Sequence, residues 1–182
     1  MLAGLRDVRL ATPPQRSGFL PKELQIIAND YLDAIPPTHM IAVYASTSNP
    51  SAVASKTKVT LFPAHEIVLS SHCANLPKLP QSSCPSTLPV VPLALPSPPL
   101  YPHLQNYLYT KNIAALENFL LPASHAMHTT GLMRRLLAVH GLWGNACALG
   151  VTDEPFYAAI ERIWASLHQS LSVAHTMTTS SA

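Results

Sequence analysis

The sequence predicts a single α/β (α+β) domain: a small sheet with surrounding short helices, followed by a C-terminal antiparallel helix pair. Three observations carry this. The chain has 182 residues, 48% of them apolar, which suits one sizeable core and leaves no room for a second full domain. Short β-forming stretches, "HMIAVYAS" from His39 and "SKTKVTLF" to Phe62, alternate with helix-spaced ones. Two long amphipathic stretches close the chain and meet at Gly150.

In order, residues 1–38 read as an N-terminal extension with one short helix. "FLPKELQIIANDYLDAIPP" sets Leu24, Ile27, Ala28, Tyr31 and Leu32 at helical spacing between Pro21 and Pro36-Pro37. Ahead of it, Arg6, Arg9 and Arg16 give a faint mitochondrial-presequence composition, which Asp7 and Pro13-Pro14 spoil. Residues 39–122 form the α/β core. There "TSNPSA" turns one strand into the next, Pro63 opens a helix with Glu66 in its first turn, and the segment from Leu76 to Ser86 is loop. Residues 123–175 are the helical pair, and 176–182 a polar tail expected to be disordered. The first long helix carries a stripe of Leu132, Leu136, Val139, Trp143 and Cys147, with Gly150 as C-cap. The second is capped by Thr152 or Asp153 and carries Ile160, Ile163, Trp164, Leu167 and Leu171.

The stretch "LPVVPLALPSPPLYPHLQNYLYT" has two readings. Its P-x-x-P spacings match an exposed polyproline ligand. Yet Val90, Val91, Leu93 and Leu95 would forgo on the order of 6 to 10 kcal/mol if left in water, so a buried strand is preferred. Its prolines require an edge position or nitrogens facing away from the ladder. The second half changes period, and Leu100, Leu104, Tyr107 and Leu108 give a helix beyond a proline hinge.

Enzyme chemistry is hard to place. None of the common nucleophile-elbow, dinucleotide or phosphate-loop motifs occurs, and no cofactor is expected. His72-Cys73 with Cys84, and His125 with His128, lack the paired spacing of a structural zinc site. A zinc- or histidine-dependent hydrolase is therefore the alternative and no catalytic or metal-binding residue is assigned. Cys147 reads as a small buried hydrophobe. Three irregular cysteines fit a reducing compartment, nucleus or cytoplasm. Scattered basic residues, with Arg134-Arg135 the only pair, give no footprint for direct nucleic-acid contact, and no apolar run is long enough to span a membrane. Trp143 and Trp164 either pack the long helices together, the preferred reading, or anchor a protein partner.

"FPAHEIVLSSHC" after two strands, and "NYLYT" after a third, resemble the core of the BTB/POZ family. The matching positions are Phe62, His65 and Leu69, then Tyr107, Leu108, Tyr109 and Thr110. The resemblance implies that His65 is an architectural helix-start residue and that the domain binds proteins; self-association stays open. "HGLWGNACALGVTDEPFYAAIERIW", with Trp143, Asn145 and Gly150, and "LPVVPLALPSP" before "NYLYTK", resemble the clampless-type proteins of mushroom and smut fungi. That resemblance implies a regulator of fungal sexual development, needed for clamp-cell formation and dikaryotic growth. It would act through protein partners, transcription factors among them, with no direct nucleic-acid or membrane contact.

Overall fold

Leu24 lies in a strand, not in the expected helix. The computed structural model describes residues 20–26, 35–46, 58–82, 84, 86–121 and 129–179, with side chains to residue 173. Strand β1 (Glu23–Gln25) buries Leu24 and exposes Glu23 and Gln25, and Ile26 beyond it is buried again. That period of two was legible, but the helical spacing of Leu24 with Ile27, Ala28, Tyr31 and Leu32 masked it. Residues 27–34 of that reading lie outside the described residues, as do Arg6, Arg9 and Arg16.

The expected strand pair is present. Strand β2 (His39–Ala45) pairs antiparallel with β3 (Thr60–Ala64), which continues past Phe62 so that Pro63 lies in the strand. Because β3 is an edge, the missing proline donor costs it no ladder bond. Helix α1 (Glu66–His72) follows, and strand β4 (Thr87–Leu95) then returns parallel to β2. The sheet order is β1-β4-β2-β3.

Strand β4 is therefore interior, and an edge does not excuse its prolines. Stagger does. The Val90 amide donates to Lys22 O at 2.8 Å, on the β1 side. Alternation turns the nitrogen of Pro92 to that same side, beyond the reach of β1, whose register with β4 covers only Thr87 to Pro89. The nitrogen of Pro89 faces the β2 side, one residue before the β2 register begins at Met40 opposite Val90. Each proline thus faces a gap and ends one of the two ladders. The polyproline-ligand reading is excluded, because Leu88, Val90, Val91, Leu93 and Leu95 are buried.

The sheet has two apolar faces. Ile41, Val43, Ala64, Val91, Leu93 and Leu95 join the main core under the helices. Met40, Ala42, Leu88 and Val90 form a second cluster with Leu24 and Ile26.

After Leu95 a single 3-10 turn (Pro98–Leu100) leads into α2 (Tyr101–Thr110). This is the expected proline hinge, with the prolines in first-turn positions. Tyr101, Leu104, Tyr107 and Leu108 are buried. Helix α2 ends at Lys111, whose φ of 52° is the left-handed conformation common just past a helix end. Asn112 at once caps α3 (Ile113–Leu120) by accepting from the Ala115 amide at 2.9 Å.

The helical pair is α4 (Thr129–Leu149) and α5 (Glu154–Thr179). The second helix extends through part of the tail expected to be disordered, and residues 180–182 lie outside the described ones. Gly150 terminates α4 with φ of 64°, as expected, and a side chain there would also meet Asn75 at 2.9 Å. Ala74 donates to Gly150 O at 3.0 Å, Asn75 donates to Leu149 O at 2.9 Å, and Cys73 bridges Val151, so the link is stitched to the end of α1.

The buried faces of the pair differ from the expected stripes at three positions. Leu132, Leu136, Val139, Leu142, Ala146 and Leu149 of α4 and Phe156, Ile160, Ile163 and Leu167 of α5 are buried. Trp143, Trp164 and Cys147 are exposed. The helix faces rotate so that Leu142 and Ala146 go inward, where a larger indole at 143 would have been expected.

Candidate functional site: a tryptophan-lined groove on the C-terminal helices

Most of the residues singled out in the sequence serve the architecture. His65 is almost wholly buried, and its ring is engaged at both nitrogens. The Tyr109 hydroxyl accepts from the His65 backbone amide at 2.8 Å and donates to Nδ1 at 2.9 Å, while Nε2 donates to Ile35 O at 3.0 Å. These partners are distant in sequence, so the histidine ties α1 to α2 and to the strand entry. Phe62 packs on Tyr101 with ring centroids 5.1 Å apart, and Leu69 is fully buried. The Tyr101 hydroxyl finds no partner among the described groups. Burial pushes its pKa up.

A charged junction joins α1, α2 and α5. Lys111 Nζ donates to Asp153 Oδ2 at 2.6 Å and to His72 Nδ1 at 3.3 Å, and sits 5.3 Å over the Tyr107 ring. Tyr107 donates its hydroxyl proton to Asp153 Oδ1 at 3.1 Å. Asp153 also accepts from the Phe156 amide at 3.2 Å, so it, rather than Thr152, caps α5. Burial pushes the Asp153 pKa up, but the hydrogen bonds from Lys111, Phe156 and Tyr107 outweigh it and hold the carboxyl below its ordinary value. The Tyr107 phenol is raised to about 12 by burial and by Asp153. Thr110 donates its hydroxyl to Asn106 O at 2.8 Å, closing the last turn of α2.

Asn145 and two glycines clasp the proline hinge. Asn145 Oδ1 accepts from the Ser97 amide at 2.9 Å and Nδ2 donates to Ser97 O at 2.7 Å. Gly141 lets the hinge approach: a Cβ there would lie 2.7 Å from Ser97 Oγ and 2.8 Å from Leu100 Cδ1. Sequence reasoning missed this contact. Its signal was two glycines inside a helix, each costing about 1 kcal/mol against alanine unless close packing requires it.

The metal candidates among the described residues do not converge. His72 turns to Lys111, Cys73 is buried, Cys84 is exposed beside Ser86, and His125 and His128 lie outside the described residues. Among the described residues no three His, Cys, Asp or Glu side chains could hold a metal ion together. Arg135 is spent on the Phe119 carbonyl at 2.6 Å. No helix among the described residues is long and apolar enough to cross a membrane.

What remains unexplained by the architecture is the outer face of the helical pair. Trp143 is 45% exposed and Trp164 42% exposed, so neither packs α4 against α5 in the way preferred from the sequence. They line a cleft of about 260 Å³ with Val139, His140, Ile160 and Glu161. His140 stacks on Trp143 with centroids 6.0 Å apart. Met133 and Leu137 continue the exposed apolar face along α4. The cleft is smaller than a usual small-molecule pocket, and its size suits one or two side chains.

Comparison with known proteins places the chain in a family. The family model for the clampless protein 1 N-terminal domain matches residues 1–96, and that for the clampless protein 1 C-terminal domain matches residues 85–182. The chain belongs to the clampless protein 1 family. It is thereby a clampless-type developmental regulator. No curated protein and no solved structure matches it. The two family regions overlap at residues 85–96, which contain all of β4. The clampless N-terminal and C-terminal regions therefore share one strand: β4 pairs with β1 and β2 on one side of the division and feeds the hinge clasped by α4 on the other.

Proposed function

We propose that this clampless-type chain is a non-enzymatic protein-interaction module that regulates fungal sexual development, clamp-cell formation and dikaryotic growth. It acts inside the cell, in nucleus or cytoplasm, through transcription-regulator partners. The observation that carries the reading is the pair of half-exposed tryptophans, Trp143 and Trp164, flanking one cleft. Solvated indoles side by side are costly to leave uncovered, and tryptophan is the residue most enriched at the energetic centres of interfaces.

Support for a non-enzymatic role comes from His65, whose two ring nitrogens are occupied by Tyr109 and Ile35. A BTB-type core is part of the same proposal. It is supported by the order β2, β3, α1, β4, α2, with β4 parallel to β2, and by the signature residues Phe62, His65, Leu69 and Tyr107 to Thr110 meeting around α1 and α2.

The test is partner recovery from fungal cells with the intact chain, with Trp143→Ala/Trp164→Ala, and with Ile67→Ala as an exposed control on α1. The tryptophan variant should keep its helical content and lose specific partners that the control retains. Retention of every partner by a folded tryptophan variant would place docking elsewhere.

A further inference from the structure

The tryptophan cleft carries one formal charge. Val139 and Ile160 are buried at its floor, Trp143, Trp164 and His140 form its walls, and Glu161 stands at the rim. Glu161 precedes Trp164 by three residues on α5, which puts carboxylate and indole on adjacent positions of one helix face. Among the described residues Glu161 has no ion-pair or hydrogen-bond partner. Its chain neighbour Arg162 turns instead to Glu117, at 2.9 Å. The cleft is thus an apolar slot lined by two indoles and a single uncompensated carboxylate.

From the proposed docking face, on which this inference rests, we infer that the cleft receives an arginine side chain from the partner. Its aliphatic stem fits the Val139 and Ile160 floor, and its planar guanidinium stacks on indole while donating to the Glu161 carboxylate. A purely apolar side chain would desolvate Glu161 without compensation, and an acidic one would be repelled by it. The volume of about 260 Å³ admits one long side chain with part of its neighbour.

Trp143 and Trp164 are the only two tryptophans of the chain, so fluorescence excited at the red edge, where tyrosine does not absorb, reports on this cleft alone. The probe is a short blocked peptide with one arginine between leucines, compared with the same peptide carrying citrulline or norleucine in its place. Titrated into the full chain, the arginine peptide should bind about tenfold tighter than either. Glu161→Gln should reduce that preference to about twofold and leave the citrulline peptide and the helical content unchanged. Equal binding of the three peptides overturns the arginine inference and leaves the docking face standing. A preference that survives Glu161→Gln overturns the role of the carboxylate, and absence of binding by any peptide overturns the inference altogether. The docking face is judged separately by partner recovery with the tryptophan variant.

Discussion

The side-chain amide of Asn145 holds the backbone of Ser97 at both its groups, accepting from the amide at 2.9 Å and donating to the carbonyl at 2.7 Å. Asn145 is fully buried in α4, whereas Ser97 sits in the hinge between β4 and α2. One residue of the C-terminal clampless region thereby fixes the exit of the strand that both regions share. Asn145→Ala leaves the Ser97 groups without these partners and should lower stability by about 1–3 kcal/mol. Urea unfolding checks it: the midpoint falls while the slope stays constant.

The two glycines of the same helix face should behave oppositely. At Gly141 an added Cβ meets Ser97 Oγ at 2.7 Å and Ser97 Cβ at 2.8 Å, and the latter cannot swing aside. At Gly144 the nearest atoms, of Pro96, are at 3.7 and 3.8 Å, which is ordinary contact. Gly144→Ala should gain about 0.5–1 kcal/mol of helix propensity. Gly141→Ala should lose about 1–3 kcal/mol to overpacking despite the same gain. Thermal midpoints of the two variants, measured side by side, decide this.

Much of the fold was legible because its signals are local. The strand at His39, the break at Gly150 and the change of period at the proline hinge all follow from neighbouring residues, and the structure contains them. What was illegible depends on tertiary partners. Leu24 fits a helical and an alternating pattern equally, and only β4 lying beside it selects the strand. Pro89 and Pro92 excluded a strand paired along its whole length on both sides, but not one whose two neighbours are staggered. The orientation of α4 could not be read from an apolar count, since Trp143 and Cys147 satisfy the helical stripe as well as Leu142 and Ala146 do. The pattern therefore assigns the tryptophans to the helix interface, whereas they lie at the surface. The reading of Cys147 as buried failed for the same reason.

Acid should unlock the junction at Asp153. Its carboxyl titrates below its ordinary value of 3.8 in the folded chain. The stability it contributes is therefore complete above that value and is lost as pH falls through the lower folded value. Asp153→Asn keeps an N-cap residue but loses the charge that Lys111 meets. The variant should be less stable than the parent at pH 7 and converge towards it below pH 4. Chemical denaturation at a series of pH values measures the convergence.

Two of the three cysteines, Cys84 and Cys73, should react in a fixed order. Burial raises the Cys73 thiol to about 11, whereas the Ser86 side chain and backbone lower that of the exposed Cys84. Only the thiolate attacks an alkylating agent, so Cys84 should be modified early at pH 8 and Cys73 only once the chain unfolds. Mass mapping of iodoacetamide adducts with and without urea follows both sites.

The central claim is that the Trp143 and Trp164 cleft is the surface through which this clampless-type chain acts. Complementation measures it most directly: a fungal strain lacking the protein receives either the intact chain or Trp143→Ala/Trp164→Ala, and clamp connections are scored at matched protein abundance. The intact chain should restore clamps and the variant, equally abundant and equally folded, should not. Normal clamp formation by the variant would contradict it.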